Sequence, residues 1–244
     1  MVMVEAPATV LNDRSSAVHE QALMDLSVTL AHRIRSLVAS IEGFTDLLTD
    51  SLATSEQREM ALRILEGAAR IERVLADLQL YSKPVEPVPV PVRIHDVVVE
   101  LLRFLDETES ERVEVEFRMD VDLAVLVDPT LFNQAMLILI RNAFEATNPQ
   151  STIRLTIEQA ADRRVCFEVW NEGGIDVEDA SVRVFTPFYT TKAQNLGIGL
   201  PVARRIAEAH GGSLVLVSSS FEAGTRFALH LPIHDGPFAS ILDL

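Results

Sequence analysis

FTPFYTTKAQNLGIGLPVARRIAEAHGG, residues 185–212, is the most informative stretch of this chain. Aromatic and hydroxyl residues around Lys192 lead through Gly197 and Gly199 into a helical run that ends at Gly211–Gly212. Glycines directly before a helix let backbone N–H groups approach an anion closely, with the positive end of the helix dipole behind them. The stretch therefore predicts a phosphate-binding loop, and a surface loop that caps an amphipathic helix is the alternative.

The whole string resembles the lid and second glycine box of the GHKL ATPases, and among these the histidine kinases most closely. The resemblance implies that Lys192 reaches the β- or γ-phosphate of ATP and that residues 176–196 form a mobile lid, with Phe188 and Tyr189 anchoring it chiefly by packing. The residues of this stretch that we assign to the nucleotide site are Tyr189, Thr190, Thr191, Lys192, Gly197, Ile198, Gly199 and Leu200.

Composition limits the class of protein. The chain has 244 residues and is 48% hydrophobic, enough to bury the cores of about two domains. Its net charge of -15 argues against a broad surface for nucleic acid or an anionic membrane. Cys166 is the only cysteine, which excludes an internal disulfide and suits a reducing cytosol. Because neither a membrane-spanning run nor a signal peptide is evident, we expect a cytoplasmic protein without membrane insertion.

Two apolar stripes with helical spacing occupy residues 16–83. They predict two long amphipathic helices that form an antiparallel hairpin. A lone hairpin leaves much of both stripes in water, so we expect a homodimeric four-helix bundle through these residues. The first stripe comprises Leu23, Leu26, Leu30, Ile34, Leu37, Ile41, Phe44 and Leu48, and the second comprises Ala61, Ile64, Ala68, Ile71, Leu75 and Leu78.

His32 lies two residues beyond Leu30, roughly 200° around the helix, and so faces away from the stripe. Residues 30–48, LAHRIRSLVASIEGFTDLL, resemble the histidine box of the histidine kinases. The resemblance implies that His32 is the phosphoacceptor; an inert surface histidine is the alternative. Arg33 replaces the acidic helper base usual in the family, and Ser36, where the family usually has asparagine, is a candidate for orienting water in the reverse reaction.

Prolines in PVEPVPVPV, residues 84–92, break the second helix and favour an extended, semi-rigid linker. An edge strand is the alternative reading of such a run. The predicted organisation is an arm at 1–15, a dimerisation and phosphotransfer hairpin at 16–83, the linker at 84–92, an ATP-binding catalytic domain at 93–234 and a tail at 235–244.

Beyond the linker the pattern alternates between helices and strands, which predicts an α/β sandwich and, with the hairpin, an α+β chain. The resemblance to the GHKL fold covers nearly all of residues 93–232. Predicted helices span 94–107, 129–147 and 197–210, and predicted strands span 112–120, 124–127, 151–159, 164–170, 213–219 and 225–232.

The helical pattern NAFEA, residues 142–146, presents Asn142 from an otherwise apolar face. Its amide oxygen can join phosphate oxygens and waters around Mg²⁺, although a helix-packing amide is the alternative. The resemblance favours the magnesium role and places Glu145 in the nucleotide site. Ile138 stands where the family often has a second asparagine, so Mg²⁺ would have one protein ligand fewer.

VWNEGGID, residues 169–176, resembles the first glycine box but is one residue short. Asn171 stands where the family has an aspartate that accepts a hydrogen bond from adenine, and Gly173 and Gly174 shape the lid hinge. A neutral acceptor predicts weaker nucleotide binding, because charge-assisted hydrogen bonds are about twice as strong. A plain turn is the alternative.

Together these motifs predict a protein histidine kinase of two-component signalling. ATP with Mg²⁺ would phosphorylate His32, and an aspartate of a response-regulator receiver domain would take the phosphoryl group. Arg33, Ile138 and Asn171 motivate the alternative of a degenerate relative that acts as a phosphotransfer or docking scaffold. A GHKL ATPase of another kind, with the hairpin only as a dimeriser, is the third possibility.

Overall fold

The computed structural model describes Ile34 and residues 38–45, 54–82, 84–160, 162–175, 180–192 and 196–236. Contacts divide the chain into a helical unit, Met1–Pro84 with Lys192–Leu196, and a sheet unit, Val85–Thr191 with Gly197–Leu244. Each unit is described by itself. His32, Arg33 and Ser36 lie outside the described residues.

The helical unit contains helical residues 38–45 and α1, Ser55–Ser82. Thr54 begins α1 with a capping box: its Oγ1 accepts the Gln57 N–H at 3.2 Å, and its own N–H donates to Gln57 Oε1 at 3.3 Å. Two of the backbone donors at the start of the helix are thereby satisfied.

Burial along α1 follows a seven-residue spacing. Ala61, Ala68 and Leu75 are at most 6% exposed. Ile64 and Ile71, which belong to the same apolar stripe, remain 49% and 40% exposed. The packing within one chain therefore covers only part of the stripe.

The sheet unit alternates strands with helices. Its helices are α2 Ile94–Leu102, α3 Glu107–Glu111, α4 Pro129–Ala146, α5 Ala180–Arg183 and α6 Gly199–Ala209. Its strands are β1 Val90–Arg93, β2 Val113–Arg118, β3 Ala124–Val127, β4 Ile153–Ala160, β5 Arg164–Asn171, β6 Ser213–Ser220 and β7 Gly224–His234.

The described strands form one mixed sheet in the order β1-β3-β7-β5-β4-β2, and β6 also pairs with β7. Among the described strands, only β2 and β4 run parallel to each other. The register of β5 against β7 places Asn171 opposite Thr225. The C-terminal end of β5 and the N-terminal end of β7 therefore lie side by side, directly before the first glycine pair, Gly173 and Gly174.

One face of the sheet forms the core, because successive side chains of β4, β5 and β7 point to opposite faces. Phe132 of α4 contacts Phe167 of β5 edge to face, with ring centroids 5.0 Å apart. The other face carries ion pairs such as that between Arg118 and Glu158. The inward residues, all at most 2% exposed, are Ile153, Leu155, Ile157, Val165, Phe167, Val169, Phe227, Leu229 and Leu231. The α/β sandwich is confirmed.

Two boundaries differ by more than two residues from the sequence-based expectation. The predicted helix at 94–107 is wrong in its second half: α2 ends at Leu102, and Asp106 caps the separate helix α3 with Glu109 completing a capping box. Strand β1 lies partly inside the proline segment and pairs with β3. A proline is tolerated there because β1 is an edge strand, whose outer side needs no ladder donors.

Candidate functional site

Helix α4 is fixed at its start by Asp128. The Asp128 carboxylate accepts backbone N–H bonds from Thr130 at 3.0 Å and Leu131 at 3.2 Å, and a third from Val88 at 3.1 Å. Burial by itself would raise the pKa of this carboxyl, but the three N–H donors hold the pKa below its usual range. The ionised carboxylate thus caps α4 and anchors the chain that enters β1.

Asn142 lies midway between two close approaches to α4. A Cβ on Gly199 would come within 3.2 Å of Ile138 Cγ2, and a Cβ on Gly173 would come within 3.2 Å of the Ala146 carbonyl oxygen. Ile138 and Ala146 are each one helical turn from Asn142. The structure therefore brings both predicted glycine segments to the face of α4 that carries Asn142.

Gly197 is required by its conformation and by its neighbour. Its φ is 68°, and an added Cβ would overlap the backbone of Tyr189. The Phe188 N–H donates to the Gly197 carbonyl at 3.2 Å. This bond joins residues 188–191 to the second glycine pair, Gly197 and Gly199, directly before α6 begins. Ile198, between the two glycines, is buried.

Two hydroxyl groups hold the first glycine segment. Ser219 Oγ accepts the Ile175 N–H at 2.7 Å, and Thr225 Oγ1 donates to the Gly173 carbonyl at 2.8 Å. The two hydroxyl oxygens are 2.8 Å apart. Because the Thr225 hydroxyl donates its hydrogen bond to the Gly173 carbonyl, the Ser219 hydroxyl donates to Thr225 Oγ1. This chain of bonds fixes the backbone at the point where the predicted lid begins.

Sequence reasoning missed Ser219 and Thr225. Both lie on strands that were predicted, and Thr225 follows Gly224 at the polar end of an otherwise apolar strand. That polar end is the only local signal, since the backbone partners of both hydroxyls lie more than forty residues away along the chain.

Asn171 is buried, at 2% exposed. Its Nδ2 donates to the backbone carbonyl of Glu172 at 2.6 Å. A carbonyl oxygen can only accept, so this bond determines which way the amide points. The Oδ1 atom of Asn171 is therefore the group that remains to accept a hydrogen bond from elsewhere.

The remaining predicted nucleotide residues are less enclosed. Glu145, Thr190 and Thr191 are exposed, and Lys192 and Leu200 are half-buried. Gly174 is held close to the β6–β7 turn, since an added Cβ would lie 2.6 Å from the Phe221 backbone nitrogen. Residues 176–179 and 193–195 of the predicted lid fall outside the described part of the chain.

The described residues contain no group of three or more His, Cys, Asp or Glu side chains that could hold a metal ion. None of their helices combines the length and apolarity that crossing a membrane requires.

Two known domain families match different parts of the chain. Residues 22–86 match the His Kinase A (phospho-acceptor) domain, and residues 127–235 match the histidine kinase-, DNA gyrase B- and HSP90-like ATPase domain. The chain belongs to the histidine kinases. Both motif-based resemblances are thereby confirmed, and the family is one of phosphoryl-transferring enzymes that bind ATP through a GHKL domain.

Several curated histidine kinases are similar over most of the chain. Sensor histidine kinase ZraS of Salmonella typhimurium is 30% identical over 215 residues, which cover 87% of this chain and 46% of that protein. Signal transduction histidine-protein kinase AtoS of Escherichia coli is 29% identical over 216 residues, covering 87% and 35%. The chain thus spans less than half the length of these relatives.

Solved histidine kinases share the fold. Full-length ShkA in complex with AMPPNP aligns over 87% of this chain and 46% of its own, with a TM-score of 0.66 and 23% identity. The catalytic domain of histidine kinase ThkA aligns over 59% of this chain and 95% of its own, with a TM-score of 0.51 and 28% identity.

Proposed function

We propose that this histidine kinase uses ATP and Mg²⁺ to phosphorylate His32 and then passes the phosphoryl group to an aspartate of a response-regulator receiver domain. The observation that carries the proposal is the meeting of both glycine segments on α4, one turn to either side of Asn142. The match of residues 22–86 to the phospho-acceptor domain supports His32 as the acceptor. ShkA, a relative in fold, was solved with an ATP analogue.

Asn171 would recognise the base. Its Nδ2 is already engaged by the Glu172 carbonyl at 2.6 Å, so Oδ1 is presented as an acceptor. The 6-amino group of adenine can donate to that oxygen, whereas guanine has an acceptor oxygen at this position. The chain would therefore keep a preference for adenine, through a bond weaker than the charge-assisted bond of an aspartate.

Backbone and side-chain groups would hold the phosphates. N–H groups at Gly197 and Gly199 lie at the N-terminus of α6, where the helix dipole favours an anion, and Lys192 adds a mobile positive charge. The Asn142 oxygen would hold Mg²⁺ together with phosphate oxygens, and that ion would neutralise charge on the phosphates. Tyr189, Thr190, Thr191, Ile198, Leu200 and Glu145 would complete the surroundings.

The transfer itself is a displacement at the γ-phosphorus. A neutral imidazole nitrogen of His32 forms the new bond to phosphorus while the bond to the β,γ-bridging oxygen breaks, ADP leaves, and the ring gives up its other proton to solvent. Positioning and charge neutralisation supply most of the catalysis. Arg33 would not act as the helper base that the family usually has at this position. Ser36 would orient water for dephosphorylation.

A second copy of the chain would complete the helical unit. Ile64 and Ile71 stay 49% and 40% exposed on the stripe whose members Ala61, Ala68 and Leu75 are buried, and Ile41 and Phe44 are 44% and 69% exposed. Burying these side chains against a partner yields favourable transfer free energy. We infer a homodimeric four-helix bundle through residues 16–83 that works in the cytosol, where ATP and receiver domains are available.

Two observations favour a second candidate. Ile138 packs toward Gly199 at the position where an asparagine would add a magnesium ligand, and Asn171 is uncharged. A relative with these two departures could retain the bundle and His32 and serve as a phosphotransfer or docking scaffold with little ATP turnover.

The test is incubation of the full chain with γ-labelled ATP and Mg²⁺, comparing wild type, His32→Ala and His19→Ala. His19 is a matched control because it is another histidine of the N-terminal region. Acid-labile, base-stable label on wild type and His19→Ala only would support the kinase. No label on a folded dimer would leave the scaffold, and label on His32→Ala would show that the acceptor lies elsewhere.

A further inference from the structure

His210 connects the two helices of the nucleotide site, α4 and α6, at the end of α6 far from Gly197 and Gly199. It is the C-terminal cap residue of α6, and its Nδ1 lies 2.7 Å from the carbonyl oxygen of Ile206. The Asp128 backbone N–H, at the start of α4, donates to His210 Nε2 at 2.9 Å. A backbone N–H can only donate and a carbonyl can only accept, so the ring is neutral with its proton on Nδ1.

The two helices run antiparallel between two fixed points. At one end Asp128 meets His210, and at the other Ile138 meets Gly199. Ten residues separate the two points on α4 and eleven separate them on α6, which correspond to about 15 Å and about 16.5 Å of helix. Because these lengths are nearly equal, one axial register of the helices satisfies both contacts.

We propose that His210 is a positioning residue that sets the axial register of α4 against α6, and thereby the distance between the Asn142 amide and the N–H groups of Gly197 and Gly199. The inference rests on the proposed function, because those groups must grip the same phosphates. The Asp128 carboxylate already ties α4 to Val88, so α4 is held in place independently. His210 adds α6 to that anchor.

The geometry explains why histidine suits this position. The Ile206 carbonyl belongs to the same helix, so its bond to Nδ1 orients the ring, while Nε2 reaches across to α4. A glutamine places an amide oxygen near the position of Nε2, whereas an asparagine reaches only as far as Nδ1. His210→Gln therefore retains the bond between the helices. His210→Asn removes that bond, although it too replaces the imidazole by an amide.

The discriminating measurement is the affinity of the full chain for a non-hydrolysable ATP analogue, with Mg²⁺ and with EDTA. Wild type, His210→Gln, His210→Asn and Asn142→Ala are compared. We expect His210→Asn to weaken binding about tenfold with Mg²⁺, as for one lost hydrogen bond, and much less with EDTA, when Asn142 makes no metal-bridged contact. His210→Gln should recover most of that loss.

A double-mutant cycle separates positioning from general destabilisation. In the Asn142→Ala background, His210→Asn should have little further effect on binding with Mg²⁺, because the group that it positions is gone. The inference is overturned if His210→Asn weakens binding equally with and without Mg²⁺, if the two substitutions are additive, or if Gln and Asn behave alike.

Failure of the proposed function would look different. Wild type that binds the analogue but forms no phosphohistidine would overturn the kinase activity and leave the positioning role standing. Wild type that binds no nucleotide would overturn both.

Discussion

The helical unit and the sheet unit bury their apolar side chains to different extents. In the sheet unit the inward residues of β4, β5 and β7 are at most 2% exposed. In α1, Leu75 is 1% exposed, but Ile64 and Ile71 of the same stripe are 49% and 40% exposed. The sheet unit closes its core within one chain, whereas the stripe of α1 still has surface to cover.

The difference follows from geometry. A sheet with one apolar face is covered by helices that the same chain supplies, here α2, α4 and α6. A helical hairpin offers two stripes and no third element, so part of each stripe stays in water. Substitutions in the sheet unit should therefore act on folding, and those on the exposed stripe should act on association.

The largest effect is expected for Phe132→Ala. Phe132 is 2% exposed and contacts Phe167, so truncation leaves a cavity between α4 and the sheet and should cost about 3–5 kcal/mol of unfolding free energy. Urea unfolding followed by Trp170 fluorescence reports on the sheet unit, because Trp170 is the only tryptophan. Phe104→Ala, at a side chain that is 53% exposed, is the control. Equal losses in both variants would contradict a closed core here.

An intermediate effect is expected when charge is placed on the exposed stripe. Ile64→Glu with Ile71→Glu should weaken self-association by about 10- to 100-fold, because two carboxylates would have to be buried at the interface. Sedimentation over a concentration series measures this, and the Trp170 unfolding curve should stay unchanged. Leu62→Glu is the matched control, since Leu62 is 60% exposed but lies on the opposite side of α1. A dimer that tolerates the double substitution would place the interface elsewhere.

The elements that carry a strong periodicity could be predicted from the sequence. The predicted spans of α4, β4 and β5 lie within two residues of the observed ones. The break after Leu102 was missed because the apolar pattern continues through Leu105, while the capping box of Asp106 and Glu109 determines where the next helix starts.

Contacts between distant segments could not be predicted in the same way. The bond from Asp128 to His210 joins residues 82 apart, and that from Thr225 to Gly173 joins residues 52 apart. Neither pair has a spacing that any local rule would select. The amide orientation of Asn171 likewise depends on where the Glu172 carbonyl points, which the type of residue does not specify.

The smallest effect concerns the pH dependence of the sheet unit. Burial raises the pKa of the Cys166 thiol to about 12, and Glu158 and Glu168 add to the shift. In the unfolded chain a thiol ionises near about 8.5, so the folded state keeps a proton that the unfolded state releases. The contribution of this thiol to stability is therefore fully present below that pH and is lost progressively as pH rises toward 12.

Comparing unfolding free energies at pH 7 and pH 9 for wild type and Cys166→Ala isolates this contribution, because the other titrating groups are common to both proteins. Wild type should lose about 0.5–1 kcal/mol more than the variant over this interval. The outward face of the sheet, where Cys166 lies between Glu158 and His230, would then exclude water nearly as well as the core does. Identical pH slopes would mean that the thiol also ionises in the folded state, and therefore that water reaches Cys166 on the outward face of the sheet.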